Sequence, residues 1–376
     1  MELLEQVRVA FIGMSNSGKS TLISALIKHI CENIINPEYL MNENDVLKSE
    51  KTFRATKIIC PYKDYELMLI DCPGSIEYME QIKQGLDLSS IIVCLIDATN
   101  VKESKEYCKN ILSKIEVHTK RIIYIYTHAV QNCELEFESK LSNIDIPLQT
   151  LLNKIDANSQ VRVNIEEEAI KIASTVLPYF DKKRLLFSGG KDSIVGFDIC
   201  MKVDDTSDVI WPKSGFEFKE LASFIKGNYI SKATRNLPTE MNYTDSSLMD
   251  IFNKKIEFNN ELEEISDLLI INYRVSDDIV ASKDHYIKRG NECHRFSPIF
   301  YFSEENIWRY IAKYELEVPS LYFKGYRSIE DEPIAVASMD SFSTIDEIIN
   351  YVHLHPFEDN NPEINKLKKI VNNTYF

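Results

Sequence analysis

Along residues 1–180, short apolar runs alternate with stretches of helical spacing. Val7–Ile12, Leu67–Ile70, Ile91–Ile96 and Arg121–Tyr126 are rich in β-branched residues, and the pattern predicts strands there with a fifth at Leu148–Leu152. Lys19–Cys31, Tyr78–Leu86 and Lys102–Ile115 carry their apolar residues three and four apart, so they predict helices. This alternation is the signature of a mostly parallel sheet covered by helices on both faces. A long helix is expected over Glu166–Tyr179, ending at the charged Asp181-Lys182-Lys183. A new strand, Arg184–Phe187, then leads into a helix at Ile194–Met201. A strand–loop–helix unit that starts afresh after a terminal helix implies a second domain. The expectation is α/β throughout: two doubly wound, mostly parallel sheet domains, residues 1–182 and 183–376. Residues 226–262 are polar and weakly periodic, as a loop or insertion would be. A last strand is expected near Leu268–Tyr273, with helices at Glu304–Tyr314 and Thr344–Val352.

Composition narrows the classes. The 376 residues leave room for two cores, and 44% hydrophobic with 27% charged residues suits a globular chain. A formal net charge of −15 repels DNA, RNA and anionic membranes at long range, so nucleic-acid and membrane partners are not expected. The eight cysteines include no CxxC pair, which offers neither a disulfide framework nor a metal cage and points to a reducing cytoplasm. No basic leader precedes an apolar run at the N-terminus, and no apolar run is long enough to span a bilayer.

Two loops carry the chemistry. Gly13-Met-Ser-Asn-Ser-Gly18-Lys19-Ser20 fits GxxxxGK[ST] between a predicted strand and helix. Its backbone amides and the helix N-terminus suit a β-phosphate, Lys19 the β/γ-phosphates, and the Ser20 hydroxyl a Mg²⁺ ion. Gly13, Asn16, Ser17, Gly18, Lys19, Ser20 and Thr21 are therefore the candidate phosphate-binding residues. Asp71-Cys-Pro-Gly74 follows the next strand, where a magnesium aspartate and a γ-phosphate-sensing glycine belong. Residues 71–98, DCPGSIEYMEQIKQGLDLSSIIVCLIDA, resemble translation-factor GTPases, above all the GTPase subunit of bacterial sulfate adenylyltransferase. That resemblance makes GTP the nucleotide and places Thr52 on the switch threonine over Mg²⁺, although Thr56 competes for the role. Ser75 stands where translation factors have the histidine that orients the attacking water. Asn16 resembles GTPases that recruit K⁺, so K⁺ is a second candidate cation.

The guanine-reading motif has two candidate positions. Asn153-Lys154-Ile155-Asp156 reads as NKxD, which needs an insertion of about one strand and helix. Family spacing instead points to Thr127-His-Ala-Val130, where Val130 cannot accept hydrogen bonds from guanine and selectivity would have eroded.

The second loop, Ser188-Gly189-Gly190-Lys191-Asp192-Ser193, again lies between strand and helix. It resembles the PP-loop of ATP-splitting enzymes that release pyrophosphate and transfer AMP. That resemblance makes all six residues candidate ATP ligands, the glycines allowing close approach to the β,γ-pyrophosphate and the hydroxyls and amides serving as donors. Residues 290–299, 302–311 and 318–329, including Lys324-Gly-Tyr-Arg-Ser-Ile, resemble the catalytic subunit of sulfate adenylyltransferase and the phosphoadenylylsulfate reductases. The resemblance puts Arg274 near the adenylate and makes Arg295 and Arg327 phosphate or oxyanion ligands, beside Ser188, Lys191 and Asp192 as the catalytic set. No cysteine lies beyond Cys293, which argues against the thiolate chemistry of the reductases.

Together the resemblances imply GTP-assisted adenylyl transfer from ATP to sulfate, with Mg²⁺ at Ser20, Thr52 and Asp71. Two other functions stay open: ATP splitting toward another acceptor, and a nucleotide-gated switch without catalysis. Homo- or hetero-oligomers fit equally well.

Overall fold

The computed structural model describes residues 1–34, 55–116, 118–127, 145–212, 217–229, 261–277, 285–290, 293–329, 335, 337 and 339–356. Thr52, His128–Val130 and most of the polar 226–262 stretch lie outside these residues.

The first sheet has the order β2-β3-β1-β4-β5, formed by β1 (Gln6–Ile12), β2 (Thr56–Tyr62), β3 (Tyr65–Asp71), β4 (Ile91–Asp97) and β5 (Arg121–Thr127). β1, β3, β4 and β5 run parallel, and β2 pairs antiparallel with β3. Strands with neighbours on both edges and helices on both faces are buried almost throughout, hence the apolar runs Val9–Ile12 of β1 and Ile91–Ile96 of β4. β5 lies at the edge and alternates, leaving Tyr124 and Tyr126 exposed.

One face of this sheet (Val7, Val9, Phe11) packs on α1 (Lys19–Ile34) and α4 (Asp145–Ala157). The other (Ala10, Ile12, Ile70, Cys94) packs on α2 (Met79–Leu88) and α3 (Val101–Leu112). That second core continues through α5 (Ile165–Val176) into the second domain without a break. The strand expected at Leu148–Leu152 is helical in α4. Leu148, Leu151, Leu152 and Ile155 recur three and four apart and bury one face on the sheet.

The second sheet has the order β7-β6-β8-β10-β9, from β6 (Lys183–Leu186), β7 (Asp208–Ile210), β8 (Leu268–Ile270), β9 (Ile287–Arg289) and β10 (His294–Phe296). All pairings are parallel except β9 with β10. α6 (Lys191–Val203), α7 (Lys219–Asn228), α8 (Glu304–Lys313) and α9 (Ile345–Leu354) complete it. β6 is joined through α6 to β7 on one side, while β8 lies on its other side. The crevice beyond the ends of β6 and β8 is thus a topological switch point, the usual ligand position in such sheets.

Candidate functional site

In the first domain, β1 delivers the loop of residues 13–18 onto the N-terminus of α1. Asn16 and Gly18 adopt left-handed backbone, φ 63° and 84°. Asparagine tolerates that region better than most residues, which gives Asn16 a backbone reason of its own beside the K⁺ reading. Gly13 has no room for a side chain, since a Cβ there would lie 2.6 Å from Ser17 Oγ and 3.0 Å from Leu95 Cβ. Lys19 Nζ donates to the carbonyls of Gly13 (2.9 Å) and Met14 (3.0 Å), spanning the loop. Burial lowers its pKa, with the Asp71 charge opposing.

Ser20 Oγ donates to Asp71 Oδ2 at 2.5 Å, bringing together two residues expected to hold Mg²⁺. Asp71 is 1% exposed, and burial raises its pKa against the Ser20 hydrogen bond and Lys19. Its Oδ1 and Ser17 Oγ are buried without a hydrogen-bond partner among the described residues. An orphaned carboxylate oxygen beside a hydroxyl and an ammonium is the donor set that suits a hard cation next to phosphate. Gly74 closes on this loop: a Cβ would sit 2.7 Å from Ser15 N and 2.9 Å from Lys19 Nζ. Thr21 is exposed on the first turn of α1. Ser75 accepts from Glu77 N at 3.4 Å and caps a short 3-10 turn, Ile76–Tyr78.

Asn153, Lys154 and Asp156 are not brought to this loop. They lie inside α4, where Asn153 accepts from Gln149. Asp156 accepts from Lys63 Nζ (2.5 Å) and Tyr65 Oη (3.0 Å). Tyr65 opens β3, which runs parallel to β1 with Glu66 opposite Gln6. Asp156 therefore sits at the end of the sheet away from residues 13–18, about 20 Å off at 3.3 Å per strand residue. Of the other candidate reader, Thr127 ends β5, and its carbonyl oxygen accepts from Ala98 N–H at 2.9 Å.

In the second domain, β6 delivers Ser188–Ser193 onto α6. Gly189 takes φ 78°, and a Cβ would lie 2.7 Å from Ile225 of α7. Ser193 Oγ donates to Gly190 O at 2.8 Å, and Ser188 Oγ lies 3.3 Å from Ser193 Oγ. Tyr322 Oη accepts from Lys191 N at 2.6 Å and fixes the start of the helix.

Behind the loop lies a buried charge cluster. Lys191 and Arg327 are 2% and 1% exposed. Lys191 Nζ donates to Arg327 O at 3.0 Å and lies 3.5 Å from Glu304 and from Asp192. Arg327 holds Glu304 at 2.8–2.9 Å and donates to His355 O at 2.8 Å. Arg274 bridges Asp192 (2.8 Å) and Asp277 (3.0 Å). Burial alone would raise Glu304, but Arg327, Lys191 and Arg274 outweigh it and hold the carboxyl at about 2. The structure thus joins Lys191, Asp192, Arg274 and Arg327, yet the Lys191 ammonium and Arg327 guanidinium face inward as braces.

Arg295 is not part of this group. On β10 it is in register with Leu269, which packs with Ile210 and Leu262 on the sheet face away from α6, and it pairs with Glu263 at 2.5 Å. Glu304, Tyr322 and the His355 carbonyl were missed by sequence reasoning. The SEENIW and YFKGYRSI stretches contained the signal, but sequence does not show which way a side chain turns.

Fold and loops define a two-domain nucleotide-binding protein, with one phosphate loop at the switch point of each sheet. Residues 5–179 match the elongation factor Tu GTP binding domain, and residues 183–337 match the phosphoadenosine phosphosulfate reductase domain. The two parts of the chain thus match, in turn, an elongation factor Tu-type GTP-binding domain and a domain of the phosphoadenosine phosphosulfate reductase type. Among solved structures, Candida glabrata FMN adenylyltransferase with FMN and an ATP analogue is 14% identical over 52% of this chain and 75% of its own, TM-score 0.38. Candida auris phosphoadenylyl-sulfate reductase in a phosphate complex is 14% identical over 46% and 96%, TM-score 0.31. The FeoB G-domain of Methanococcus jannaschii is 16% identical over 42% and 100%, TM-score 0.29. No match is found among curated protein sequences. Among the described residues, no helix is long and apolar enough to cross a membrane.

Proposed function

We propose that the chain transfers the adenylyl group of ATP to sulfate, giving adenylylsulfate and pyrophosphate, and that GTP hydrolysis at the first loop drives it. The observation that carries this reading is the pairing in one chain of the Ser20–Asp71 site with a PP-loop that turns on left-handed Gly189 and is tied to Tyr322 through Lys191 N. In the step itself a sulfate oxygen attacks the α-phosphorus, the bond from that phosphorus to the bridging oxygen breaks, and pyrophosphate leaves. No protein nucleophile is needed, in keeping with the lack of cysteine beyond Cys293. Ser188, Ser193 and the amides of Gly189, Gly190, Asp192 and Ser193 would hold the pyrophosphate, and Asp192 with Arg274 would fix the loop's entrance. Ser20 and Asp71 would hold Mg²⁺, which when bound neutralises the β- and γ-phosphates.

The same chain supports a second reading, ATP splitting toward a different acceptor. It is favoured by the pairing of Arg295 and Arg327, the two expected oxyanion ligands, with Glu263 and Glu304. Pyrophosphate release from ATP, with and without sulfate and with and without GTP, separates the two. Release that needs both additions supports the first reading. Release indifferent to sulfate moves the case to the second. Lys19→Ala should remove the GTP effect and leave basal release. A cytoplasmic location and K⁺ at Asn16 belong to this proposal, and equal GTPase rates in Na⁺ and K⁺ would remove the latter.

A further inference from the structure

β1 and β3 end at the first nucleotide site, β1 in the loop 13–18 and β3 in Asp71. Both begin on one element of the second domain. Gln6 Nε2 donates to Glu66 Oε2 (3.0 Å) and to Tyr301 O (2.7 Å). Asn306, wholly buried, accepts from Leu4 N at 2.7 Å and donates to Leu4 O at 3.0 Å, so its side chain pairs with the backbone just before β1 as a neighbouring strand would. Ser303 caps α8 by accepting from Asn306 N at 3.0 Å, and its hydroxyl also hydrogen-bonds Glu66. Between Ser303 and Asn306 stands Glu304, the carboxylate that holds Lys191 and Arg327 behind the second loop.

Residues 301–306 therefore touch the start of both strands leading to one site and the anchor of the other. Arg8, one β1 pleat further on, strengthens the seam. It makes two bonds to Glu168 (2.8 and 2.6 Å), lies 4.9 Å from the Tyr301 ring centroid, and shares Glu168 with Tyr286 Oη at 2.7 Å. Gln6, Arg8, Glu66, Tyr301, Glu304 and Asn306 are buried, so a small shift of the α8 turn has little slack to absorb it.

We propose that the first turn of α8, Ser303–Asn306 with Tyr301, is the element that couples the two nucleotide sites: occupancy of the second loop moves Glu304, the turn follows, and Asn306 and Tyr301 O carry the movement into β1 and β3. The proposal rests on the reading that both loops bind nucleotide, but not on the acceptor of the adenylyl group.

The test is a binding linkage measured by calorimetry on the full chain with Mg²⁺, using α,β-methylene ATP and β,γ-imido GTP as non-reacting probes. Each probe should change the other's affinity by the same factor, at least about fivefold. Asn306→Leu keeps the volume and removes both bonds to Leu4, while Gln6→Leu removes the bond to Tyr301 O. Both should bring the factor within about twofold while each probe alone binds as before. Lys63→Ala, on the far side of the sheet, should leave the factor intact. Should Asn306→Leu fail to fold, Asn306→Asp keeps the acceptor for Leu4 N and loses only the donor to Leu4 O. A wild-type chain without linkage, or full linkage retained in the folded Asn306 and Gln6 variants, overturns the proposal. Failure of adenylyl transfer to sulfate leaves it standing, so the two readings fail separately.

Discussion

Glu66 offers a test of the domain seam that needs no knowledge of the reaction. Its carboxyl is 2% exposed at the start of β3, where burial raises its pKa from 4.5 to about 7. Hydrogen bonds from Ser303 and Gln6 and the Arg309 charge oppose the rise, while Glu305 adds to it. At about 1.4 kcal/mol for each tenfold change in proton affinity, the charged form costs roughly 3 kcal/mol in the folded chain. The folded state keeps the proton up to about pH 7 and the unfolded state loses it near 4.5. Between those values the folded state binds more protons, so stability falls as pH rises, with the full cost present above the folded pKa. Glu66→Gln removes the titration and keeps an acceptor for Gln6 Nε2. The melting temperature of Glu66→Gln should match the wild type near pH 4.5 and exceed it by on the order of 5 °C at pH 8. His353 is raised chiefly by its bond to Glu305 but also by Glu66, so the comparison is made in a His353→Gln background, where that titration is absent from both proteins. A difference that is flat with pH, or a variant less stable at pH 8, would refute a buried, mostly protonated Glu66.

Three further outcomes follow from the same geometry. Asp156→Ala should leave the guanine-over-adenine preference of the first site unchanged in competition binding, because its carboxylate serves Lys63 and Tyr65 at the far end of the sheet; a tenfold loss of preference would restore it as a base reader. Gly74→Ala should weaken triphosphate binding and lower stability by about 1–3 kcal/mol, since the added Cβ meets Ser15 backbone at 2.7–2.8 Å. Glu304→Gln should cost about 3–5 kcal/mol in chemical denaturation by stranding two buried cations. Because its pKa is depressed to about 2, the stability Glu304 gives is present above 4.5 and lost as pH falls toward 2, so the variant should lose the wild type's steep acid limb.

Elements whose burial is uniform were plain in the sequence. β1, β3 and β4 read as apolar runs because both faces are covered, and α2, α3, α8 and α9 as helical stripes because one face is. Leu148–Leu152 misled because a five-residue apolar run fits strand or helix, and the deciding residue, Ile155, lies beyond it. β2 was missed: its antiparallel hairpin to β3 turns on Lys63, at φ 55°, without the Gly or Asn that usually marks such a turn. The strand start Gln6-Val-Arg-Val alternates as a half-exposed strand would, yet Gln6 and Arg8 are buried at 0% and 2%. The polar face meets Tyr301, Glu168 and Tyr286, and only the second domain's position makes that face an interior.

The site shows the same limit in its charges. A motif fixes residue types near a ligand, and a lysine or arginine there invites the reading of a phosphate ligand. In the second domain Lys191, Arg274 and Arg327 are matched by Asp192, Asp277 and Glu304, three cations against three carboxylates. As built, this cluster carries no net charge with which to attract an anion, and Lys191 and Arg327 are spent on holding Glu304. On the proposed reading, attraction for the pyrophosphate would then fall to the Ser188 and Ser193 hydroxyls and to the amides at the start of α6, whose partial charge needs no counter-ion. Such donors are fixed by the backbone, so the buried ion cluster acts by holding that backbone still. The first domain divides the labour differently. Among the described residues Lys19 bonds loop carbonyls alone and Asp71 keeps an orphaned oxygen, so on the proposed reading the charges themselves would face the phosphate and its metal.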